Sequence, residues 1–265
     1  MEECGFHRIW VRDMFVAPWE LWSAVTVVAL STKTVRVGID VTNPYTRSPV
    51  VTAHASITVD NLSGGRLDLG LGKGIGSHLK MMGIVPYEHG LEEAVRFIRH
   101  MLTGKKARLK GEAFSVLDVQ LPVRAVQENL PVWIAAVDEE EFRMAGRLAD
   151  GVLTISARRP FLESAMRLVG RTVPLATWLP YSTSRDELAS YLDELIPNFP
   201  DYVLDAMGLE KDLVSREELL DSFAVCGPRD LADKTRRLEA IGVTEIILEY
   251  FALEDLQGLR SILRD

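Results

Sequence analysis

Seven short, mostly apolar runs recur along the 265-residue chain, and segments with helical spacing separate most of them. The runs are continuous rather than alternating between apolar and polar residues, which is typical of strands covered on both faces in a parallel sheet. Parallel strands need a crossover between them, usually a helix. The sequence therefore predicts an α/β protein with strands near residues 7–13, 35–41, 66–72, 131–137, 151–156, 173–179 and 244–250.

Helix start and stop signals between these runs support the alternation. Ser48-Pro49 is typical of a helix N-cap and first turn, and Gly64-Gly65 of the helix end that follows. Gly227-Pro228 predicts the start of a later helix, which Gly242 ends. Seven or eight such units in roughly 250 residues favour a (β/α)₈ barrel over a doubly wound sheet.

Two segments interrupt this alternation. Residues 104–130 are predicted to be an irregular insertion, and residues 184–222 to be mostly helical and acidic. Neither has the composition of a linker, so residues 1–265 are expected to form one domain. The short segment 222–227 is predicted to be a loop, which leaves seven strands for a barrel that needs eight.

Composition excludes several functional classes. The longest apolar stretch, Leu21–Leu30, is too short to cross a membrane, and a net charge of −8 without a basic block argues against nucleic acid as a partner. The five histidines lack the paired spacing of zinc sites, so no metal site is predicted. Only Cys4 and Cys226 are present and no leader pattern is visible, which predicts a cytoplasmic protein.

Polar residues follow several of the predicted strands, where the active site of such a barrel lies. Thr42 and Asn43 are candidate site residues, although a plain turn before Pro44 is the alternative. Asp13 is a candidate catalytic base, or else a structural partner of Arg12 or Arg66. The other polar residues at predicted strand ends are Asp40, Lys73, Asp138, Ser156, Arg158, Arg159, Tyr181 and Ser182.

The glycine-rich segment GLGKGIG, residues 70–76, also follows a strand. It is not a dinucleotide loop, because Ile75 stands where that motif needs glycine, and no Gly-Lys-Ser/Thr ends it as in a P-loop. We interpret its glycines as positions where a ligand or another backbone approaches closely, with Lys73 available to an electron-rich ring. In SARRP, residues 156–160, a helix start with Ser156 and Arg158 favours a phosphate site, or else two solvated arginines.

The segment VTNPYTRSPVVTAHASITVDNLSGGRLDLGLGKG, residues 41–74, resembles the bacterial luciferase-like barrels. It is most similar to the branch that uses the deazaflavin coenzyme F420, which includes methylenetetrahydromethanopterin reductase. Residues 5–13, 130–136, 148–154 and 223–249 are similar to the same family in the same order.

The resemblance implies a (β/α)₈ barrel with a deazaflavin across its strand ends, which exchanges a hydride with a small-molecule substrate. It also implies a non-proline cis peptide bond between Asp40 and Val41. The implied cofactor-binding residues are Asp40, Val41, Thr42 and Asn43 at the ring edge and Gly72, Lys73, Gly74, Ser156, Ala157 and Arg158 along the tail.

The sequence departs from the family pattern at several positions. Met14 stands where several members have a histidine, Ile75 where F420-dependent members tend to have an acidic residue, and Asp40 where glycine is common. The chain also starts at a point that matches the end of the family's first helix, so the first strand and most of that helix are expected to be absent. A second copy of the chain is expected to cover the resulting seam, as a homodimer or higher homo-oligomer.

Three functional hypotheses remain open on this basis. The first is a coenzyme F420-dependent oxidoreductase, and the second is an FMN-dependent luciferase-like monooxygenase whose phosphate Ser156 and Arg158 would hold. The third is a degenerate, non-catalytic barrel that binds a ligand or partner, which Met14 and Ile75 favour.

Overall fold

A parallel sheet of eight strands forms the centre of the computed structural model, which describes residues 2–199, 201–209 and 215–250, together with Leu259. Its strands are β1 (Arg8–Val11), β2 (Arg36–Ile39), β3 (Leu67–Leu71), β6 (Val132–Ala135), β7 (Gly151–Ile155), β8 (Leu175–Ser182), β9 (Val225–Cys226) and β10 (Glu245–Tyr250), while β4 (Ala107–Lys110) and β5 (Ser115–Val119) form a separate hairpin. The sheet order is β1-β2-β3-β6-β7-β8-β10, and β9 pairs with β8. The predicted TIM-barrel-type α/β fold is confirmed.

Helices connect the strands and cover the outside of the sheet. They are α1 (Leu21–Ser31), α2 (Pro49–Ser63), α3 (Gly76–Met81), α4 (Gly90–Leu102), α5 (Glu139–Leu148), α6 (Arg159–Val169), α7 (Arg185–Leu195), α8 (Asp201–Ala206), α9 (Arg216–Phe223) and α10 (Gly227–Glu239). As predicted, Ser48 caps α2 by accepting a hydrogen bond from the backbone N–H of Val50, and Gly64 ends the helix at φ 69°. Within the described part of the chain, no helix is both long and apolar enough to span a bilayer.

Two cores hold the layers together. The larger lies between sheet and helices and includes the leucines of β3 and Leu175, Leu179 and Tyr181 of β8. A smaller one fills the inside of the sheet and consists of Trp133, Leu153, Ala176, Trp178 and Ile247. Fully burying one large apolar side chain contributes about 1.5–3 kcal/mol, so both cores stabilise the fold substantially.

Three predicted boundaries need correction. Residues 222–227 are not only a loop, because Val225–Cys226 forms β9 and pairs with the end of β8. The segment 104–130 is not entirely irregular, since β4 and β5 form an antiparallel hairpin there. The first predicted strand ends at Val11, so Arg12 and Asp13 lie beyond it.

The two end strands of the sheet, β1 and β10, are joined by side chains. Arg8 and the indole Nε1 of Trp10 both donate to the carboxylate of Glu245, the latter at 2.6 Å. Arg12 Nη1 donates to Glu249 Oε1 at 3.1 Å. Side chains two or four residues apart lie on the same face of an extended chain, so these groups form a row that we call the charged seam, made of Arg8, Trp10, Arg12, Glu245 and Glu249.

The chain turns sharply where β2 ends. The peptide bond between Asp40 and Val41 is cis, as the family resemblance implied. Beyond it, the backbone N–H of Thr42 donates to the Gly70 carbonyl at 3.1 Å, and the N–H of Gly72 donates to the Thr42 carbonyl at 2.9 Å. These bonds hold the segment after β2 against the end of β3.

Candidate active site

A cleft of about 830 Å³ opens at the carboxyl ends of the strands. This is the edge at which barrels of this type place their active sites, and the volume suits a cofactor-sized ligand. The segments that follow β1, β2, β3 and β6 line it, together with the last residues of β7, Trp178 of β8 and residues near 195–202. The predicted site residues among its lining are Asp13, Asp40, Val41, Asn43, Gly72, Lys73 and Gly74.

The floor of the cleft is made of small and apolar residues. Val41 lies directly over Gly72, where an added Cβ would come within 2.7 Å of Val41 Cγ2 and 3.3 Å of the Ala135 Cβ. Any larger residue at position 72 would therefore push Val41 or Ala135 aside. The close neighbours of Gly72 are thus side chains, whereas the predicted close approach of another backbone is found at Gly70, where an added Cβ would overlap the Ile39 carbonyl oxygen.

Asn43 closes the turn and lines the cleft at the same time. Its Oδ1 accepts hydrogen bonds from the backbone N–H groups of Tyr45 and Thr46, both at 3.0 Å. Gly74, with φ 77°, packs against it, and an added Cβ would lie 3.2 Å from the Asn43 side chain. Thr42 is fully buried behind the lining, and its hydroxyl donates to Asp13 Oδ2 at 2.6 Å.

Asp13 belongs to a hydrogen-bonded network with Arg47. The same Oδ2 accepts from Arg47 Nη1 at 2.7 Å, and Arg47 Nη2 pairs with Glu20 Oε1 at 2.6 Å. The predicted structural partners were wrong, because Arg12 pairs with Glu249 and Arg66 donates to backbone carbonyls such as that of Val35. In this structure Asp13 holds Arg47 and the loop that follows β1.

Lys73 is a cation fixed at the opposite wall. Its Nζ lies 3.2 Å from Glu141 and 3.4 Å from Asp138. Burial lowers the pKa of Lys73, but the two carboxylates outweigh it and raise the pKa on balance. Glu141 also accepts from the backbone N–H of Val137 at 2.8 Å, which fixes its position. The ammonium group is therefore both charged and oriented.

Asp40 contrasts with the other acidic groups of the cleft. Its carboxyl group forms no hydrogen bond or salt bridge among the residues that the structure describes. Burial raises the pKa of Asp40, Arg12 lowers it, and Glu249 raises it, with a net increase. Arg12 itself pairs with Glu249 and lies over the Trp178 ring at 4.5 Å from its centroid. The floor thus carries a carboxyl group that binds its proton more tightly than usual.

Ser156, Ala157 and Arg158 lie outside the lining of this cleft. The Ala157 N–H donates to the Ser222 carbonyl at 2.6 Å, and Arg158 Nη1 pairs with Glu218 at 2.6 Å. However, the Nε of Arg158 is buried and has no hydrogen-bond partner among the residues that the structure describes. A phosphate site at these residues stays a prediction.

Several lining residues were not predicted from the sequence. Arg47 and Glu141 act through partners distant in the chain, and spacing alone does not show such pairs. The exposed aromatic residues Phe15 and Trp19 did carry a signal, because large apolar side chains between a strand and a helix are candidates for a ligand surface. Tyr202 reaches the cleft from α8, and no pattern in the sequence marked it as a site residue.

Comparisons with known proteins agree with this geometry. The model of a family described as luciferase-like monooxygenase matches residues 1–245. The chain is similar to the 5,10-methylenetetrahydromethanopterin reductase of Methanolobus tindarius, with 26% identity over 93% of this chain and 86% of that protein. It is 33% identical to the F420-dependent glucose-6-phosphate dehydrogenase of Amycolatopsis mediterranei over 59% of this chain and 51% of that protein.

A solved structure shows the same fold. The coenzyme F420-dependent tetrahydromethanopterin reductase from Methanopyrus kandleri superposes with a TM-score of 0.85, covering 99% of this chain and 91% of that chain. The sequence identity in this superposition is 22%, so the likeness concerns the arrangement of strands and helices.

Proposed function

Because this chain belongs to the luciferase-like monooxygenase family, we propose that it is a coenzyme F420-dependent oxidoreductase, which transfers a hydride between the deazaflavin and a small-molecule substrate. One observation carries the proposal: Asp40–Asn43 and Gly72–Gly74 meet at a cofactor-sized cleft above the strand ends. The reductase relatives, which match 93% of the chain, support it.

The residues present fit such a coenzyme. Gly72 packs against Val41 and Ala135, and these apolar side chains line the cleft and offer a surface on which a planar ring can lie. Asn43 and Lys73 would hold the ring edge and the start of the tail. The unsatisfied Nε of Arg158 is a donor that a phosphate oxygen would satisfy. When bound, F420 supplies or accepts the hydride at a carbon of its deazaflavin ring.

The protein's own residues would orient the reactants and control a proton. The apolar floor excludes water from one face of the ring, and Lys73, held by Glu141, provides a fixed positive charge. Asp40 would take up or release a proton at its carboxyl oxygen, because that carboxyl group forms no hydrogen bond among the described residues and its pKa is raised by burial.

We also infer the setting in which this enzyme works. Cys4 and Cys226 are both free thiols, which supports a reducing, cytoplasmic compartment. We expect a small-molecule substrate and a homodimer or higher homo-oligomer rather than a macromolecular substrate.

The direct test is a binding titration with oxidised F420 and, separately, with FMN, followed by fluorescence and difference absorbance. We expect micromolar binding of F420. Gly72→Ala should weaken it by about tenfold, because the added Cβ displaces the Val41 floor. Gly76→Ala is the matched control, because a Cβ at Gly76 meets no atom within 4 Å.

The other outcomes are equally informative. Binding of FMN alone would reject the F420 proposal and favour a monooxygenase of the same family. Binding of neither would reject both enzymes for this chain and leave a non-catalytic binding protein.

A further inference from the structure

Large apolar side chains surround the outer part of the cleft and remain 42–55% exposed. We call them the apolar rim, and they are Phe15, Trp19, Ile75, Met82 and Tyr202. They come from three separate segments: the loop after β1, the residues around α3, and α8. Exposed apolar groups that converge on one concave site are typical of a surface that binds a ligand.

The loop that carries much of this rim is held in place. Arg47 pairs with Asp13 and with Glu20, which lie at the two ends of the loop after β1. At its middle, the Phe15 ring contacts the His78 ring edge-on, with centroids 4.9 Å apart. These contacts hold the loop after β1, and with it Phe15 and Trp19, against α3 and the segment after β2.

The positive charges of the cleft are already paired. The lining contains three cations, Arg12, Arg47 and Lys73, against the carboxylates of Asp13, Glu20, Asp40 and Glu141. Both terminal nitrogens of Arg47 bind carboxylates, those of Asp13 and Glu20. Arg12 pairs with Glu249, and Lys73 lies on the side of the cleft that is expected to hold the coenzyme. Within the described residues, the rim side therefore offers no unpaired arginine or lysine to an incoming anion.

We propose that the substrate bound by the apolar rim is an apolar molecule that carries no phosphate or carboxylate group. The identification of this ligand as the substrate rests on the F420-dependent hydride transfer proposed above. An anionic substrate would have to displace a carboxylate from Arg47 or lie near Asp40, and either costs binding free energy. The activity named for the glucose-6-phosphate dehydrogenases is accordingly not expected of this chain.

A matched series of ligands tests the substrate class without a known reaction. We would measure binding of cyclohexylmethanol, cyclohexanecarboxylate, cyclohexyl phosphate and glucose 6-phosphate to the full chain by ligand-observed NMR, with and without F420. The neutral alcohol should bind about tenfold tighter than either cyclohexyl anion. An anion that binds as tightly as the alcohol, or an alcohol that does not bind, would overturn the proposal.

Three variants assign the binding to the rim. Trp19→Ser should weaken binding of the alcohol by about tenfold, whereas Leu117→Ser, which removes an exposed apolar side chain of β5 outside the cleft, should not. Glu20→Gln removes the negative charge that pairs with Arg47 Nη2 and should strengthen binding of the carboxylate relative to the alcohol. An equal effect of Trp19→Ser and Leu117→Ser would contradict the assignment.

The coenzyme titration separates this proposal from the previous one. If F420 fails to bind while the alcohol still binds the rim, the proposed function is rejected and the ligand class is supported. If F420 binds but the anions are preferred, the proposed function is supported and the ligand class is rejected.

Discussion

Asp40 brings a carboxyl group to the floor of the cleft without the hydrogen bonds that hold Asp13 and Glu141 there. Burial raises its pKa, so the folded protein binds this proton more tightly than the unfolded chain does. The resulting stabilisation is complete below the unfolded pKa and is lost as the pH rises through the folded pKa. At pH values above the unfolded pKa, ionisation of Asp40 therefore costs the folded protein free energy and lowers the free energy of unfolding.

This dependence of stability on pH predicts how Asp40→Asn changes the free energy of unfolding. The variant should be more stable than the wild type at about pH 7.5, on the order of 1 kcal/mol or about 2–4 °C in Tm for a chain of this size. The gain should shrink towards about pH 4, where Asp40 regains its proton. Thermal unfolding of the variant and the wild type at the two pH values measures this difference in stability. Asp233→Asn, which changes an exposed carboxylate, is the control. A variant less stable than the wild type at neutral pH would contradict the burial argument.

Single residues also show what the sequence can predict about the site. Asn43, Gly72 and Lys73 were predicted because the end of a buried strand is visible as a change from apolar to polar residues. The pair of Arg47 with Asp13 joins residues 34 apart, and it exists only because the ends of β1 and β2 are neighbours in the sheet. Such partners follow from the fold, not from local spacing.

At the scale of elements, the charged seam is the feature that joins the two ends of the sheet. Glu245 accepts hydrogen bonds from Trp10 and Arg8, and His7 contacts it at 3.1 Å. Burial raises the pKa of Glu245, but these partners outweigh it and lower the pKa on balance. The stabilisation from this group is therefore present above its unfolded pKa and is lost as the pH falls through the folded pKa.

Glu245→Gln should accordingly cost about 2–4 kcal/mol at neutral pH, because the new amide faces the buried guanidinium of Arg8. The difference from the wild type should narrow below about pH 4, as it does for Asp40→Asn, although the variant there is the more stable protein. Denaturant unfolding at several pH values measures it. The matched control is Glu217→Gln, which breaks an exposed pair with Arg185 and should cost less than about 1 kcal/mol. Equal costs for the two variants would show that the seam does not stabilise the fold.

The predicted elements differ in how well their sequences specify them. The buried strand β3 was predicted because its five residues are all covered and three of them are leucines, while its one charged residue, Asp68, is paired with Arg8 and Arg36. Strand β9 has only two residues, and the hairpin of β4 and β5 is largely exposed, so neither produces a comparable buried run. Length and burial therefore decide which strands the sequence reveals.

At the scale of the whole molecule, the surface of α1 and α2 is unusually apolar. Helix α1 has apolar residues on every side, and Val27 and Leu30 are each 63% exposed. Val51 and Leu62 are also exposed on the neighbouring α2. A helix that is apolar all round is typical of one covered on both sides. A second copy of the chain is the partner we expect here, because self-complementary apolar surfaces favour twofold dimers.

We therefore predict that the purified protein has twice the chain mass in sedimentation velocity or light scattering. Replacing both Val27 and Leu30 with lysine should shift it to the monomer, because four like charges would face each other across a twofold contact. Leu117→Lys, at an equally exposed apolar position on β5, should leave the dimer intact. A wild-type monomer, or a dimer that tolerates the double lysine variant, would exclude this surface as the interface. Since the cleft opens at the strand ends and these positions lie on the outside of α1, F420 binding should persist in the monomeric variant.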